Sequence, residues 1–484
     1  MLKDQPWLRL GSDLTTQYEQ CAMEGRDVAV WKPVVQQLTA LPPKELCAAE
    51  KAIEEISVLL ENTPVRADFG FDEPSALKEI LAAAPMEKPV LPALPDKEVL
   101  SARLQAAWNG RVAGCLLGKP VEGWRTPQLH EVLKATGNWP MHRYIRRDEL
   151  PDELVEKYSI YTANTAWADQ TGGAMPVDDD TNYTAFALKL VEEYGRDFTA
   201  ADVLEAWMRW IPALATCTAE RVAYRNGCMG LLPPETAVYK NPYREWIGAQ
   251  IRGDLFGYIN PGDPAAAADM AFRDASISHV KNGIYGEMFI AAALAAAAVC
   301  DDVMTVIRTG LAYIPAGCRL RADIDEILSL YAAGADADAA MAHIHSRYDE
   351  FTAHGWCMTN PNTMIVVMAL LWGSRDFGKT LCLAVQPGFD TDCNGATAGS
   401  ILGMLNGSVP DEWLAPFEGN VITSIEGFHH VHTDDMAART LALCRLPEKP
   451  APTEAPAARG CFCPSCGAQV EDYYIFCSEC GARL

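Results

Sequence analysis

Two stretches of the chain carry glycine at every fourth position, at residues 109–124 and 386–407. Their glycines are Gly110, Gly114 and Gly118 in the first stretch, and Gly395, Gly399 and Gly403 in the second. Glycine lowers helix propensity, so a row of it on one helical face indicates a close approach of backbones, although tight core packing alone would also explain it. In either case the packing would carry Glu122, at the end of the first glycine helix, toward the centre of the fold.

Acidic residues are crowded at the start of two predicted helices. Asp178, Asp179 and Asp180 precede apolar residues at helical spacing, where a single carboxylate would be enough to cap a helix. Asp390 and Asp392 stand just ahead of the second glycine helix. Neighbouring carboxylates repel one another unless a cation lies between them, and hard divalent cations take oxygen ligands. Two acidic helix starts therefore favour a two-metal site, with a solvated acidic surface as the alternative.

The distribution of apolar residues predicts an all-α protein with several parts. At 484 residues and 49% hydrophobic content, the chain is long enough for a large core. Ala-rich and Leu-rich helical segments fill residues 98–446, and no run of alternating strands is present. Residues 1–81 are predicted to form a helical N-terminal extension, joined by a Pro-rich linker at 82–97. A second linker, rich in Pro and Ala, occupies 447–460 and leads to a small C-terminal segment at 461–484.

Charge and cysteine usage limit the possible partners and compartments. A net charge of -24 argues against nucleic-acid and anionic-membrane partners, because the protein lacks a phosphate-neutralising surface overall. The longest apolar run, at residues 288–300, is shorter than the ~20 residues that a membrane span needs. The N-terminus shows no signal pattern. Most of the 16 cysteines are scattered singly through apolar surroundings, which favours a reducing, cytoplasmic setting.

The C-terminal segment has the cysteine spacing of a metal site. Two Cys-x2-Cys pairs stand ten residues apart, formed by Cys463, Cys466, Cys477 and Cys480. Four thiolates so spaced suit one tetrahedral, structural Zn2+, and so short a segment cannot fold around a hydrophobic core of its own. A redox dithiol is the alternative. The segment resembles the zinc ribbons appended to many bacterial proteins, and we expect it to dock to a protein partner.

Four motifs together resemble the ADP-ribosylglycohydrolase family. They are the first glycine row ending in Glu122, the DDDT sequence at 178–181, SHVKNGIYGEMF at 278–289, and GFDTDCNGATAGSILG at 388–403. The resemblance implies a compact multi-helix domain that uses a pair of Mg2+ or Mn2+ ions. It implies cleavage of the bond between C1 of a ribose and an acceptor nitrogen or oxygen, on a small-molecule or protein-linked ADP-ribosyl substrate.

The resemblance also assigns metal ligands and catalytic residues. The implied ligands of the two ions are Asp178, Asp179, Asp180, Asp390 and Asp392, with Asp178 in a position where many members have threonine. Glu122 matches the glutamate that closes over the metals and contacts the ribose. Catalytic roles are therefore expected for Glu122, Asp179, Asp180 and Asp392.

Substrate contacts are implied in two further motifs. His279 and Gly283 lie in the segment that lines the nucleotide side of the pocket in the family. Gly388 and Phe389 are expected near the distal ribose. A lone histidine is more often structural, so the expectation for His279 comes from the family and not from its own chemistry.

Besides Asp178, two further positions depart from the family pattern, and two other functions stay open. Cys393 stands where a ligating threonine is common, and a thiol is a poor ligand for Mg2+. Cys115 replaces an aspartate that often follows the second glycine of the first row. One alternative function is a glycosidase for a small ribosylated metabolite such as a nucleoside, favoured if the insert at 125–172 blocks part of the pocket. The other is a catalytically inactive ligand-binding protein.

Overall fold

A computed structural model of the chain describes residues 7–8, 13–163, 165–446, 461–462 and 469–470. Helices dominate this part of the chain, and extended structure is confined to strands of two or three residues. The predicted all-α class is therefore confirmed. None of the described helices is both long enough and apolar enough to cross a membrane.

The N-terminal extension forms five short helices, and the first four share a small core. They are α1 (Leu14–Met23), α2 (Lys32–Thr39), α3 (Pro43–Ala48), α4 (Glu50–Asn62) and α5 (Leu77–Ala83). Leu14 and Cys21 of α1 pack with Ile53 and Leu60 of α4. Further on in the chain, Arg244 donates hydrogen bonds to α1 and to the turn that follows it, and the extension belongs to the same compact unit, Met1–Cys444.

The longest helix, α6 (Lys97–Gly118), runs through the interior, and its second half is buried on all sides. The helices that follow are α7 (Thr126–Ala135), α8 (Asp152–Tyr158), α9 (Asp179–Tyr194), α10 (Ala200–Trp210), α11 (Thr218–Cys228), α12 (Glu235–Val238), α13 (Asp254–Tyr258), α14 (Pro264–Ala275), α15 (Lys281–Ala297), α16 (Val303–Leu311), α17 (Arg319–Ala332), α18 (Ala337–Arg347), α19 (Thr359–Gly373), α20 (Phe377–Val385), α21 (Thr391–Asn406), α22 (Asp411–Leu414) and α23 (Thr433–Leu443). Most of the apolar run at 288–300 lies in α15, which is buried along almost its whole length and ends at Ala297.

Helices α6 and α21 touch through their backbones, which is one of the two explanations that the glycine rows left open. A Cβ atom added at Gly114 would stand 1.9 Å from the carbonyl oxygen of Gly395. One added at Gly110 would stand 2.0 Å from the carbonyl oxygen of Gly399. No side chain fits at such distances, so glycine is required at these crossings.

A small sheet leads the chain into the first acidic motif. Strand β1 (Ala174–Met175) pairs in parallel with β2 (Asn420–Ile422), which pairs antiparallel with β3 (His430–His432). The first acidic residue, Asp178, follows β1 after two residues. The sheet therefore fixes where this motif enters the domain.

The C-terminal unit spans Arg445–Leu484. Its described residues form an antiparallel pair of strands, β4 (Cys461–Phe462) and β5 (Gln469–Val470). The four predicted zinc ligands, Cys463, Cys466, Cys477 and Cys480, lie outside the described residues.

Candidate active site

The N-terminal ends of α9 and α21 lie side by side and bring the two acidic helix starts together. Asp178 caps α9, and its carboxylate accepts a hydrogen bond of 2.9 Å from the N–H of Asp180. Asp390 occupies the N-cap position of α21, and Asp392 lies in the first turn of that helix. The positive ends of two helix dipoles thus support the carboxylates, which would otherwise repel one another.

Potential ligand atoms from both helix starts lie close enough to share cations. The carboxylates of Asp180 and Asp392 and the thiol of Cys393 offer atoms that all lie within 4.8 Å of one another. Glu122, Asp390 and Asp392 form a second such group with the same limit. Asp178 and Asp180 form a third group with Cys115. The five predicted metal ligands and Glu122 thus lie in one region, with Asp179 between Asp178 and Asp180 at the start of α9.

A strained turn precedes the second acidic motif. Gly388 and Phe389 both have a left-handed backbone, with φ of 76° and 58°. Glycine adopts this conformation readily, whereas Phe389 does so at a cost of about 1 to 3 kcal/mol. The turn delivers Asp390, whose N–H donates to the side-chain oxygen of Asn362 at 3.1 Å. The thiol of Cys357 donates to the Asp390 carboxylate at 3.2 Å.

Asp180 differs from its neighbours because it faces a buried arginine. Its carboxylate lies 3.0 Å from the guanidinium of Arg111, which also lies 3.0 Å from the carboxylate of Asp254. The guanidinium of Arg111 donates to the backbone oxygen of Asp180 as well, and both side chains are fully buried. Asp180 thus has a structural role in addition to the ligand role expected for it.

The electrostatics of the cluster favour the uptake of positive charge. Burial, followed by the charge of Asp178, raises the pKa of Asp179 to about 7 and that of Asp392 to about 6. The charge of Asp392 is the main cause that raises the pKa of Glu122 well above its usual value. Burial would raise the pKa of Asp178 too, but the ammonium of Lys119, which donates to this carboxylate, lowers it. Protons or metal ions must therefore offset the charge of the remaining carboxylates.

The donor set fits hard divalent ions. One carboxylate oxygen each of Asp180 and Asp392 is buried without a hydrogen-bond partner among the described residues. Such unsatisfied buried oxygens are costly, and a cation between them would remove the cost. Carboxylates dominate the set, and Mg2+ and Mn2+ prefer such oxygen ligands. The buried thiols of Cys115 and Cys393 are the exceptions in it.

The cluster opens into a cavity of about 760 Å³. The acidic residues on its lining are Asp13, Glu122, Asp178, Asp179, Glu220, Asp390 and Asp392. Lys119 is the one basic residue on the lining within the described part of the chain, and it is bound to Asp178. The volume exceeds what a ribose alone requires, so the cavity can also take a group attached to it.

The four predicted substrate contacts are not on the lining of this cavity. His279 is fully buried, and its Nδ1 lies 2.8 Å from the hydroxyl of Ser278. It packs against Gly283, where an added Cβ would stand 2.8 Å from the imidazole. Gly388 and Phe389 form the strained turn before Asp390, and the Phe389 ring is buried against His345 at 5.0 Å. Their role as substrate contacts stays a prediction.

Several cavity residues were missed by sequence reasoning. Lys119 directly follows the first glycine row, so its position next to the acidic cluster could have been read from the sequence. Glu220 is buried on the lining, held by the guanidinium of Arg252 at 2.6 Å, and nothing in its sequence context singled it out. Trp7 and Asp13 belong to the N-terminal extension, for which no role was predicted.

The insert suspected of blocking the pocket lies elsewhere. No described residue between 125 and 176 is on the cavity lining. Tyr144 of this insert instead donates hydrogen bonds to the backbone oxygens of Ala113 and Trp413. A pocket blocked by this insert would have favoured the nucleoside alternative, and the insert does not line the cavity.

Comparisons with known proteins agree with the four motifs. A family model described as ADP-ribosylglycohydrolase matches residues 96–449, which is more than half of the chain, and a model described as zinc-ribbon domain matches residues 462–484. No curated protein matches the chain. A solved structure titled "ADP-ribosylglycohydrolase-related protein complex" aligns over 72% of this chain and 99% of its own, with 18% identity and a TM-score of 0.39.

Proposed function

Because the chain belongs to the ADP-ribosylglycohydrolase family, a family of hydrolases that act on ADP-ribosylated substrates, we propose that it cleaves the ribose C1 bond of an ADP-ribosyl compound with the help of two Mg2+ or Mn2+ ions. The main support for the proposal is that residues of two acidic helix starts and Glu122 line one cavity that can hold more than a ribose.

The proposed ligands of the two ions are the five aspartates of the helix starts. They are Asp178, Asp179, Asp180, Asp390 and Asp392. When bound, such ions fix the hydroxyl groups of a sugar and lower the pKa of a coordinated water. The support for this ligand set is the excess of buried carboxylates and the two carboxylate oxygens that lack a hydrogen-bond partner.

The protein's own side chains would manage the proton and the developing charge. Departure of a group from a ribose C1 gives the sugar oxocarbenium character, which nearby carboxylates stabilise. We assign the removal of a proton from the attacking water to Glu122 or Asp179, both of which line the cavity.

A hydrolysis panel tests the proposal directly. The full chain is incubated with ADP-ribosyl-arginine, ADP-ribosyl-serine, ADP-ribose-1''-phosphate and simple nucleosides, each with Mg2+, with Mn2+ and with chelator. We expect turnover of at least one ADP-ribosyl compound, dependent on the metal. Turnover of nucleosides alone would favour the small-metabolite glycosidase. No turnover together with no metal binding would favour an inactive ligand-binding protein.

A matched pair of variants ties the turnover to the cluster. Asp392→Asn removes a charge from the proposed metal site. Asp376→Asn makes the same change at the N-cap of α20, where the exposed carboxylate accepts from the N–H of Lys379 at 2.7 Å. Asparagine caps helices as well as aspartate, so the control should keep full activity. Equal activity in both variants would contradict the assignment.

The C-terminal module and the compartment are further parts of the proposal. We infer that Cys463, Cys466, Cys477 and Cys480 bind one structural Zn2+, which agrees with the zinc-ribbon match. The ribbon would serve to dock a protein partner. Buried free thiols such as Cys115 suit a reducing, cytoplasmic compartment. Zinc analysis of the purified protein, with one equivalent expected, tests the first inference.

A further inference from the structure

The N-terminal extension supplies part of the wall of the proposed substrate cavity. Trp7, Asp13 and Thr16 line this cavity together with the acidic cluster. All three lie outside residues 96–449, the part of the chain that matches the family model. This chain therefore has a cavity wall that its family membership does not explain.

Two arginines of α11 hold the first part of this wall. Arg221 and Arg225 are four residues apart and so lie on one face of the helix. The guanidinium of Arg221 lies 4.8 Å from the centroid of the Trp7 ring. Arg225 donates to the backbone oxygen of Leu8 at 3.3 Å. Arg221 also donates to the backbone oxygen of Leu214, itself a cavity residue, at 2.9 Å, so Trp7 is fixed relative to the cavity.

Helix α1 holds the second part of the wall. Gln17 accepts from the guanidinium of Arg244 at 3.0 Å, and Gln20 donates to Glu245 at 2.6 Å. Arg244 and Glu245 directly precede Trp246, whose ring lies on the cavity lining. One short segment thus binds the extension on one side and faces the cavity on the other.

Beside the wall from the N-terminal extension, further aromatic residues line the cavity and offer surfaces for stacking. Tyr243 and Trp246 contact each other edge to face, with ring centroids 4.7 Å apart, and Trp246 lies 6.4 Å from Trp356. All three line the cavity, as does Trp7. Such rings bind flat heterocycles by stacking, whatever the pattern of hydrogen-bonding groups on the heterocycle.

We propose that Trp7 is a specificity-determining residue that stacks against a planar heterocyclic ring of the substrate. The inference rests on the proposed function only in that it takes the same cavity as the substrate site. It gives the N-terminal extension a direct part in substrate binding.

Calorimetric titration of the full chain tests the role of Trp7 without requiring turnover. The probes are ADP-ribose and adenosine, which carry a ring, and ribose 5-phosphate, which carries none. Stacking energies predict that Trp7→Ala weakens binding of ADP-ribose and adenosine by about tenfold and leaves ribose 5-phosphate unchanged, while Trp7→Phe keeps most of the affinity.

A second tryptophan of the extension provides the control. Trp31 packs against the core of the extension and is not on the cavity lining. Trp31→Ala therefore perturbs the extension without removing the stacking surface, and it should bind all three probes like the wild type once thermal unfolding shows that it is folded. Equal affinities of Trp7→Ala and wild type for the ring-bearing probes, or no binding of these probes to wild type, would overturn the inference.

The two proposals can fail separately. If the wild type hydrolyses ADP-ribosyl compounds but Trp7→Ala binds adenosine normally, the stacking role is wrong and the proposed function stands. If the wild type hydrolyses nothing, but Trp7→Ala binds the ring-bearing probes more weakly than the wild type does, the proposed function is wrong and the stacking role stands.

Discussion

The substitution Gly114→Ala tests whether the fold and the site depend on the same backbone contact. The added Cβ would stand 1.9 Å from the carbonyl oxygen of Gly395 and 2.3 Å from its carbonyl carbon. Ordinary carbon-to-oxygen contacts begin near about 3.3 Å, so α6 and α21 must separate by about 1.4 Å at this point. Neither contact atom belongs to a side chain that could rotate away.

The expected cost follows from these distances. Overpacking of a core costs about 1 to 3 kcal/mol when side chains can adjust, and a clash with backbone belongs at the upper end or above. Alanine regains about 1 kcal/mol of helix propensity relative to glycine. We therefore expect Gly114→Ala to lower the free energy of unfolding by about 2 kcal/mol or more, measured by urea denaturation.

The same variant should also weaken metal binding. A shift of about 1 Å at a functional constellation can cost about a hundredfold, and α21 carries Asp392 in its first turn. Calorimetry with Mn2+ should show affinity reduced by about tenfold or more. Gly70→Ala is the control, because an added Cβ there meets nothing within 4 Å. If Gly114→Ala matched Gly70→Ala in both measurements, the proposed dependence on backbone contact would be refuted.

Three further outcomes are expected. Asp392→Asn should abolish most turnover and weaken Mn2+ binding without lowering the urea midpoint, because it removes one of several buried carboxylate charges, whereas Asp180→Asn should lower the midpoint, since it weakens the buried ion pair with Arg111; a midpoint of Asp180→Asn no lower than that of Asp392→Asn would contradict the structural role of Asp180. Deletion of residues 447–484 should remove bound zinc and leave hydrolysis nearly intact, because the C-terminal unit is separate; a truncated protein without turnover would argue otherwise. Cys393→Thr should tighten Mg2+ binding in calorimetry, since Cys393 lines the cavity beside Asp392 and a hydroxyl is the harder donor, and unchanged affinity would remove Cys393 from the metal site.

A close backbone approach of α6 could be anticipated from the sequence, because only glycine permits backbones to meet at the spacing observed at Gly110 and Gly114. The identity of α21 as the partner could not be read from the glycine spacing. The acidic helix starts were predictable for a related reason. Three carboxylates where one would cap a helix are too costly to be explained by capping alone.

The wall from the N-terminal extension could not be predicted in the same way. Trp7 reaches the cavity through contacts with Arg221, more than two hundred residues later in the chain, and such pairings leave no periodic pattern. The thiol of Cys357 beside Asp390 is a further example, since the two residues lie 33 positions apart. Local patterns identify residues with a particular structural or chemical requirement, such as the glycine rows and the acidic helix starts. They do not show which residues from distant parts of the chain complete a site.

The burial of the two acidic helix starts explains the chemistry of the cluster. The carboxylates of Asp180, on α9, and Asp392, on α21, are buried within reach of each other and have little water to screen them. Arg111 and Lys119 offset only part of this charge, through Asp180 and Asp178. The remaining charge must attract protons or cations, as the raised pKa of Asp392 to about 6 indicates. The cation site that we propose at this position would offset this charge.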